Sequence, residues 1–271
     1  MRRSGRGQGR AGLLAAIDPA PCTVIDPEGR AEVLLVCDHA AAAVPASLCR
    51  LGLDDSELAR HIAWDIGAAA VTGALARRLA APAVLSGYSR LVIDCNRALD
   101  DPTSIPPISD GVVVPGNRNL SAGDRLARAD ACFWPYQRAV AAGLDRAAAQ
   151  GVAPAILSIH SFTPRMNGFA RPWQIGILWD RDPRLALPLL AGLSALPGLV
   201  VGDNEPYSGR DPEGYTLQHH ATRRGLPHVL IELRQDEIDT AAGAERFAGY
   251  LEAALAPILA DPDLYRPAFY P

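Results

Sequence analysis

Nowhere in its 271 residues does this chain hold an apolar run near the ~20 residues a membrane-spanning helix needs, so no membrane partner is expected. Basic charge is also scarce. Against 26 Lys and Arg stand 30 Asp and Glu, for a formal charge of −4. A cationic surface for a phosphate backbone, and with it nucleic-acid binding, is not expected. The five cysteines (Cys22, Cys37, Cys49, Cys95, Cys132) are odd in number and scattered, with no Cys-x-x-Cys. This argues against a disulfide framework and against a thiolate zinc site. Reduced thiols in a cytoplasmic enzyme are the simple account. Gly-x-Gly-x-x-Gly and Gly-x-x-x-x-Gly-Lys-Ser/Thr are missing, and nucleotide-dependent chemistry has no support. Ser158 and Ser161 flank a histidine, but without a Gly-x-Ser-x-Gly elbow a serine hydrolase is a weak reading.

What is present is a chain 49% hydrophobic, dominated by alanine and able to bury a sizeable core. The basic, Gly- and Arg-rich start reads as a flexible tail over residues 1–22, followed by a single domain over 23–271. Apolar runs at Val33–Cys37, Ala83–Leu85, Leu91–Ile93, Ala155–His160, Gln174–Trp179, Leu199–Val201 and Val229–Leu233 read as strands. Helical patterns lie between them: a long helix from the Asp54-Asp55-Ser56 cap to about Leu79, then 121–150, 183–195, 215–224 and 241–258. Strands alternating with helices predict an α/β fold, with a mostly parallel sheet covered on both faces.

In such sheets ligands bind beyond the carboxyl ends of the strands. Three buried runs end there in chemistry-bearing residues: Val33–Cys37 in Asp38-His39, Ala155–Ile159 in His160, and Val229–Ile231 in Glu232. His39 and His160 are candidate metal ligands. His61 and Asp65, spaced i, i+4 on the expected helix, compete for the third place. Glu232 either pairs structurally with Arg234 or does chemistry. Arg97, at the exit of the Leu91–Ile93 run, either holds an anionic substrate or pairs structurally with Asp94 or Asp100.

Several segments together resemble the N-formylglutamate amidohydrolase family. They are Val36-Cys37-Asp38-His39, His61-Ile62-Ala63-Trp64-Asp65-Ile66-Gly67-Ala68, Ser89-Arg90, Asp94-Cys95-Asn96-Arg97, Ile159-His160-Ser161-Phe162-Thr163-Pro164, Asn204–Gly209, Gly214-Tyr215-Thr216 and Ile231–Gln235. The family is similar in fold and motif order to the zinc carboxypeptidase and aspartoacylase group. The resemblance implies a zinc-exopeptidase-like three-layer α/β/α fold with a mixed, mostly parallel sheet. It implies Zn²⁺ on His39, His160 and a third ligand. The group keeps a glutamate three positions after its first histidine, where this chain has Ala42, and that favours Asp65 with His61 behind it. It further implies Glu232 as the catalytic acid–base group, with Arg90, Asn96 and Arg97 holding substrate carboxylates. Tyr215, His219 or His220 would add a hydrogen bond to the oxyanion. The implied substrate is a small anionic N-formyl or N-acyl amino acid, N-formyl-L-glutamate first among them.

Overall fold

The structure, a computed structural model, describes residues 12–30, 32–210 and 214–270. Its strands are β1 (Cys22–Ile25), β2 (Val33–Cys37), β3 (Ala83–Ser86), β4 (Ile108–Ser109), β5 (Val112–Val113), β6 (Ala155–Phe162), β7 (Arg165–Met166), β8 (Phe169–Ala170), β9 (Ile175–Leu178), β10 (Val201–Asp203) and β11 (His228–Arg234). Its α-helices are α1 (Asp55–Leu58), α2 (Ala68–Leu79), α3 (Ala122–Arg128), α4 (Trp134–Ala149), α5 (Pro183–Ser194), α6 (Tyr215–His220), α7 (Gln235–Ile238) and α8 (Ala241–Leu259). Seven strands form one sheet in the order β1-β3-β2-β6-β11-β9-β10. β3, β2, β6 and β11 run parallel, as do β9 and β10, while β1 opposes β3 and β9 opposes β11. No described helix is long and apolar enough to cross a membrane.

The alternation of side chains along a strand gives the sheet two faces of different character. One face carries Val33 and Leu35, Leu157 and Ile159, Val229 and Ile231, and Ile175 and Ile177. Onto it pack helix stripes of the i, i+4 kind: Val71 and Leu75 of α2, Leu185 and Leu189 of α5, Phe247 and Leu251 of α8. The opposite face begins apolar, with Leu34, Val36 and Ile156 under Tyr136, Val140 and Leu144 of α4. It turns polar toward the carboxyl edge. Along β6 it reads Ile156, Ser158, His160 and along β11 it reads His228, Leu230, Glu232, paired in register. His160 and Glu232 are therefore neighbours because both strands keep the same parity.

The structure departs from the sequence-based expectation in four places. The long helix from Asp54 to Leu79 is two helices, α1 and α2, with 59–67 non-helical. Tertiary contacts override its apolar periodicity: the Asp65 amide donates to the His39 carbonyl at 2.9 Å. Gly67 then adopts φ +82°, where a Cβ would meet the Ile238 carbonyl oxygen at 2.4 Å. His61 and Asp65 thus do not share a helix face. Leu91–Ile93 is not a strand but a buried turn in a second core with Tyr88, Ile105 and Phe133. The Leu199–Val201 run pairs two residues later, as β10. β1 was not expected and falls at the end of the segment read as a tail. Residues 1–11 of that segment lie outside the described residues. In the rest, the Leu13 carbonyl accepts from Ser47 Oγ and the Pro19 carbonyl from the Tyr88 hydroxyl.

Gly176 of β9 lies opposite Glu232, and the loop after β10 crosses directly over it. A Cβ at Gly176 would sit 1.9 Å from the Glu205 carbonyl oxygen. The contact is with backbone, so it cannot be relieved by a rotamer change. Gly176→Ala should lower stability by about 1–3 kcal/mol, as overpacking does, read from the urea midpoint.

Candidate active site

His39 leaves β2, His160 lies in β6, and Asp65 sits in the non-helical segment before α2. All three are buried, and one donor atom from each lies within 4.8 Å of the others. Asp65 Oδ2 is the common point, 2.9 Å from His160 Nδ1 and 3.3 Å from His39 Nδ1. Each ring has its second nitrogen on another buried carboxylate. His39 Nε2 is 2.7 Å from Asp94 Oδ1, and His160 Nε2 is 3.1 Å from Asp38 Oδ2. In a neutral ring, Nε2–H then donates to the carboxylate and the Nδ1 lone pair faces the shared point. That is how metal-binding histidines are oriented. The supporting carboxylates are themselves held. Asp38 Oδ1 accepts from Thr216 Oγ1 at 2.6 Å, while Asp94 accepts from the Asn96 amide at 2.8 Å and from Arg90 Nη2 at 3.0 Å.

These contacts set the charge states. Burial disfavours the ionised form of Asp65, but His39 and His160 outweigh it and hold the carboxyl well below the usual range. Asp94 is likewise held far down, burial being outweighed by His39 and Arg90. On His160 burial acts against the charge, but Asp38 and Asp65 carry its pKa well above the ordinary value. Two nitrogen donors and an anionic oxygen donor make a set that suits a divalent metal ion of the zinc kind.

Glu232 stands beside this group with a different character. Burial pushes its carboxyl up to about 7, and Oε2 is buried without a hydrogen-bond partner among the described residues. Arg234, the structural alternative, turns instead to Asp236 Oδ1 at 2.7 Å and Glu237 Oε1 at 3.0 Å. A buried carboxylate at a strand end, with one oxygen unpartnered among the described residues, is a candidate for proton transfer.

A cavity of about 370 Å³ joins these groups. His39, Asp65, His160, Glu232, Arg90, Asn96 and Arg97 all line it, and so does His61. His61 is no part of the donor group; its Nε2 lies 3.5 Å from Asp110 Oδ2. Tyr215, His219 and His220 lie outside the lining. α6 turns Leu217 and Gln218 toward the cavity, while Tyr215 stacks on His219 and tilts against Phe133. His220 Nε2 donates to Gln137 Oε1 at 2.8 Å. Sequence reasoning missed Asp38 and Asp94 as supports for the histidines. Their signal was an aspartate directly after an apolar run in each case, Val33–Cys37 and Leu91–Ile93. It also missed Tyr207, brought in by the loop over Gly176.

An edge cavity on a three-layer α/β scaffold, with a metal-type donor group beside a buried glutamate, is an arrangement that suits a hydrolytic enzyme. The chain belongs to the N-formylglutamate amidohydrolase family: that family's sequence model matches residues 31–238. Among solved structures it is similar to the gene product Atu2144 from Agrobacterium tumefaciens, at 36% identity and a TM-score of 0.88, covering 92% of this chain and 98% of that one. The N-formylglutamate amidohydrolase from Ralstonia eutropha JMP134 shares the fold at 20% identity and a TM-score of 0.59, covering 89% of this chain and 97% of that one. No protein of curated function matches the chain.

Proposed function

We propose that the protein hydrolyses the formyl amide of an N-formyl amino acid such as N-formyl-L-glutamate, giving formate and the free amino acid, with zinc held by His39, Asp65 and His160. The observation that carries this reading is Glu232 Oε2, buried and unpartnered in the same cavity as that donor group. A bound zinc ion would supply a Lewis acid that polarises the carbonyl and acidifies water. Glu232 takes the proton of the attacking water and passes it to the leaving amine. A carboxyl near neutrality suits both transfers. Asp38 and Asp94 hold the imidazoles in place through their Nε2–H groups. Arg90 and Arg97 face the substrate's carboxylates, and the Asn96 side chain, fixed by the Thr216 amide at 3.0 Å, closes that side.

Formate release from N-formyl-L-glutamate by protein of measured metal content tests the reading, and absence of release from metal-replete protein would overturn it. Arg97→Ala should raise KM about tenfold or more, the worth of a charged hydrogen bond. Steady-state kinetics should show a much smaller change in kcat.

A further inference from the structure

Leu178 and Leu230 face each other across the antiparallel β9–β11 pair, on strands with a neighbour on both sides. Leucines on inner strands ordinarily join a core, and the adjoining Ile177, Val229 and Ile231 do so. Leu178, buried, and Leu230, half-buried, belong to none of the three apolar clusters and line the cavity that holds Glu232. The helix layer explains this. On that face α4 lies over β1, β2 and β3, and it is the six-residue α6 that reaches β11, bringing Leu217. A groove is left whose floor is Glu232, Leu230 and His228, alternate residues of one strand spanning about 13 Å at roughly 3.3 Å per residue. His228 closes its far end. Nδ1–H donates to the Leu226 carbonyl at 2.8 Å, and Nε2 lies 3.3 Å from Thr222 Oγ1.

Arg90 is bonded to Asp65 and Asp94; Asp65 in turn contacts His160, the neighbour of Glu232 on the β6 side, whereas Leu178 lies on the β9 side. An amide placed over Glu232 with its carboxylates toward Arg90 and Arg97 directs its acyl group along the leucines. A formyl group has no carbon to put there. We propose that this groove is an acyl subsite and that the enzyme prefers N-acyl amino acids with straight chains of about four to six carbons, long enough to cover Leu230 about two residues away. The inference rests on the hydrolytic reading of Glu232 and its neighbours. Water adds its oxygen to the acyl carbon, the C–N bond breaks, and the proton reaches the amine through Glu232, releasing a carboxylic acid and the amino acid.

The test is a series of N-formyl-, N-acetyl-, N-butyryl- and N-hexanoyl-L-glutamate with the metal-replete enzyme. From acetyl to hexanoyl, kcat/KM should rise about three- to fourfold per methylene, the worth of burying one. Leu230→Trp, which fills the groove, should reduce the ratio of hexanoyl to formyl kcat/KM at least tenfold. Leu217→Phe narrows the groove from the helix side and should act in the same direction. A kcat/KM highest for formyl and falling with chain length overturns the acyl subsite and leaves the hydrolase standing. Failure to turn over any member of the series removes both.

Discussion

Glu232→Gln should lower kcat by about 10²–10⁴-fold, the usual worth of a positioned acid–base group, with bound metal retained. The substitution keeps shape and burial and removes only the ability to take up and return a proton. A protein that merely binds metal or anion would lose nothing by it. Because burial sets the Glu232 carboxyl at about 7, its basic form fills as pH rises through that value. The wild-type kcat/KM should therefore climb along an acid limb that the variant's residual activity lacks. Stability supplies an independent readout. A carboxyl whose folded pKa lies above its unfolded value of 4.5 supports folding below that value and withdraws the support as pH rises through about 7. Metal-free wild type should lose stability relative to Glu232→Gln across that window, read from urea midpoints at each pH. A flat difference would show that the carboxyl is not raised.

The strands that build the site were legible because burial on both faces leaves a continuous apolar run, and Ala155–Ile159, Val33–Cys37 and Val229–Ile231 are such runs. The polar residues at their ends were legible for the same reason, since His160 and Glu232 interrupt those runs abruptly, and both line the cavity. Which ligand completes the donor group could not be read from periodicity. The i, i+4 spacing puts Asp65 on one helix face with His61, yet the chain leaves the helix there to bring Asp65 to His39 and His160. A local pattern carries no record of the long-range contact that breaks it. Leu91–Ile93 failed in a related way. Strand and buried turn are equally apolar, and Ser89 Oγ, which accepts from the Leu91 amide at 3.1 Å, decides between them. The acidic shell was harder still, because Asp38 and Asp94 take their meaning from histidines far away in sequence.

His160→Ala should abolish both stoichiometric metal and turnover, and the geometry says how this differs from simple misfolding. The substitution takes one of two nitrogen donors from the group and leaves Asp38 and Asp65 without their shared imidazole. Breaking buried pairs of this kind typically costs about 3–5 kcal/mol, so the variant should also unfold at lower urea. Asp38→Asn separates the two effects. It retains all three donors and a side chain of the same shape, keeps an oxygen for the Thr216 hydroxyl, and replaces the carboxylate that faces His160 Nε2 with an amide. A supporting residue of this kind is worth about 10–100-fold in metal affinity. Asp38→Asn should thus bind metal weakly and regain activity at raised metal concentration, whereas His160→Ala should regain none while keeping its far-UV circular dichroism. Equal loss and equal rescue in the two variants would mean that His160 is not a ligand. Full turnover by metal-free His160→Ala would remove the metal centre from the mechanism altogether.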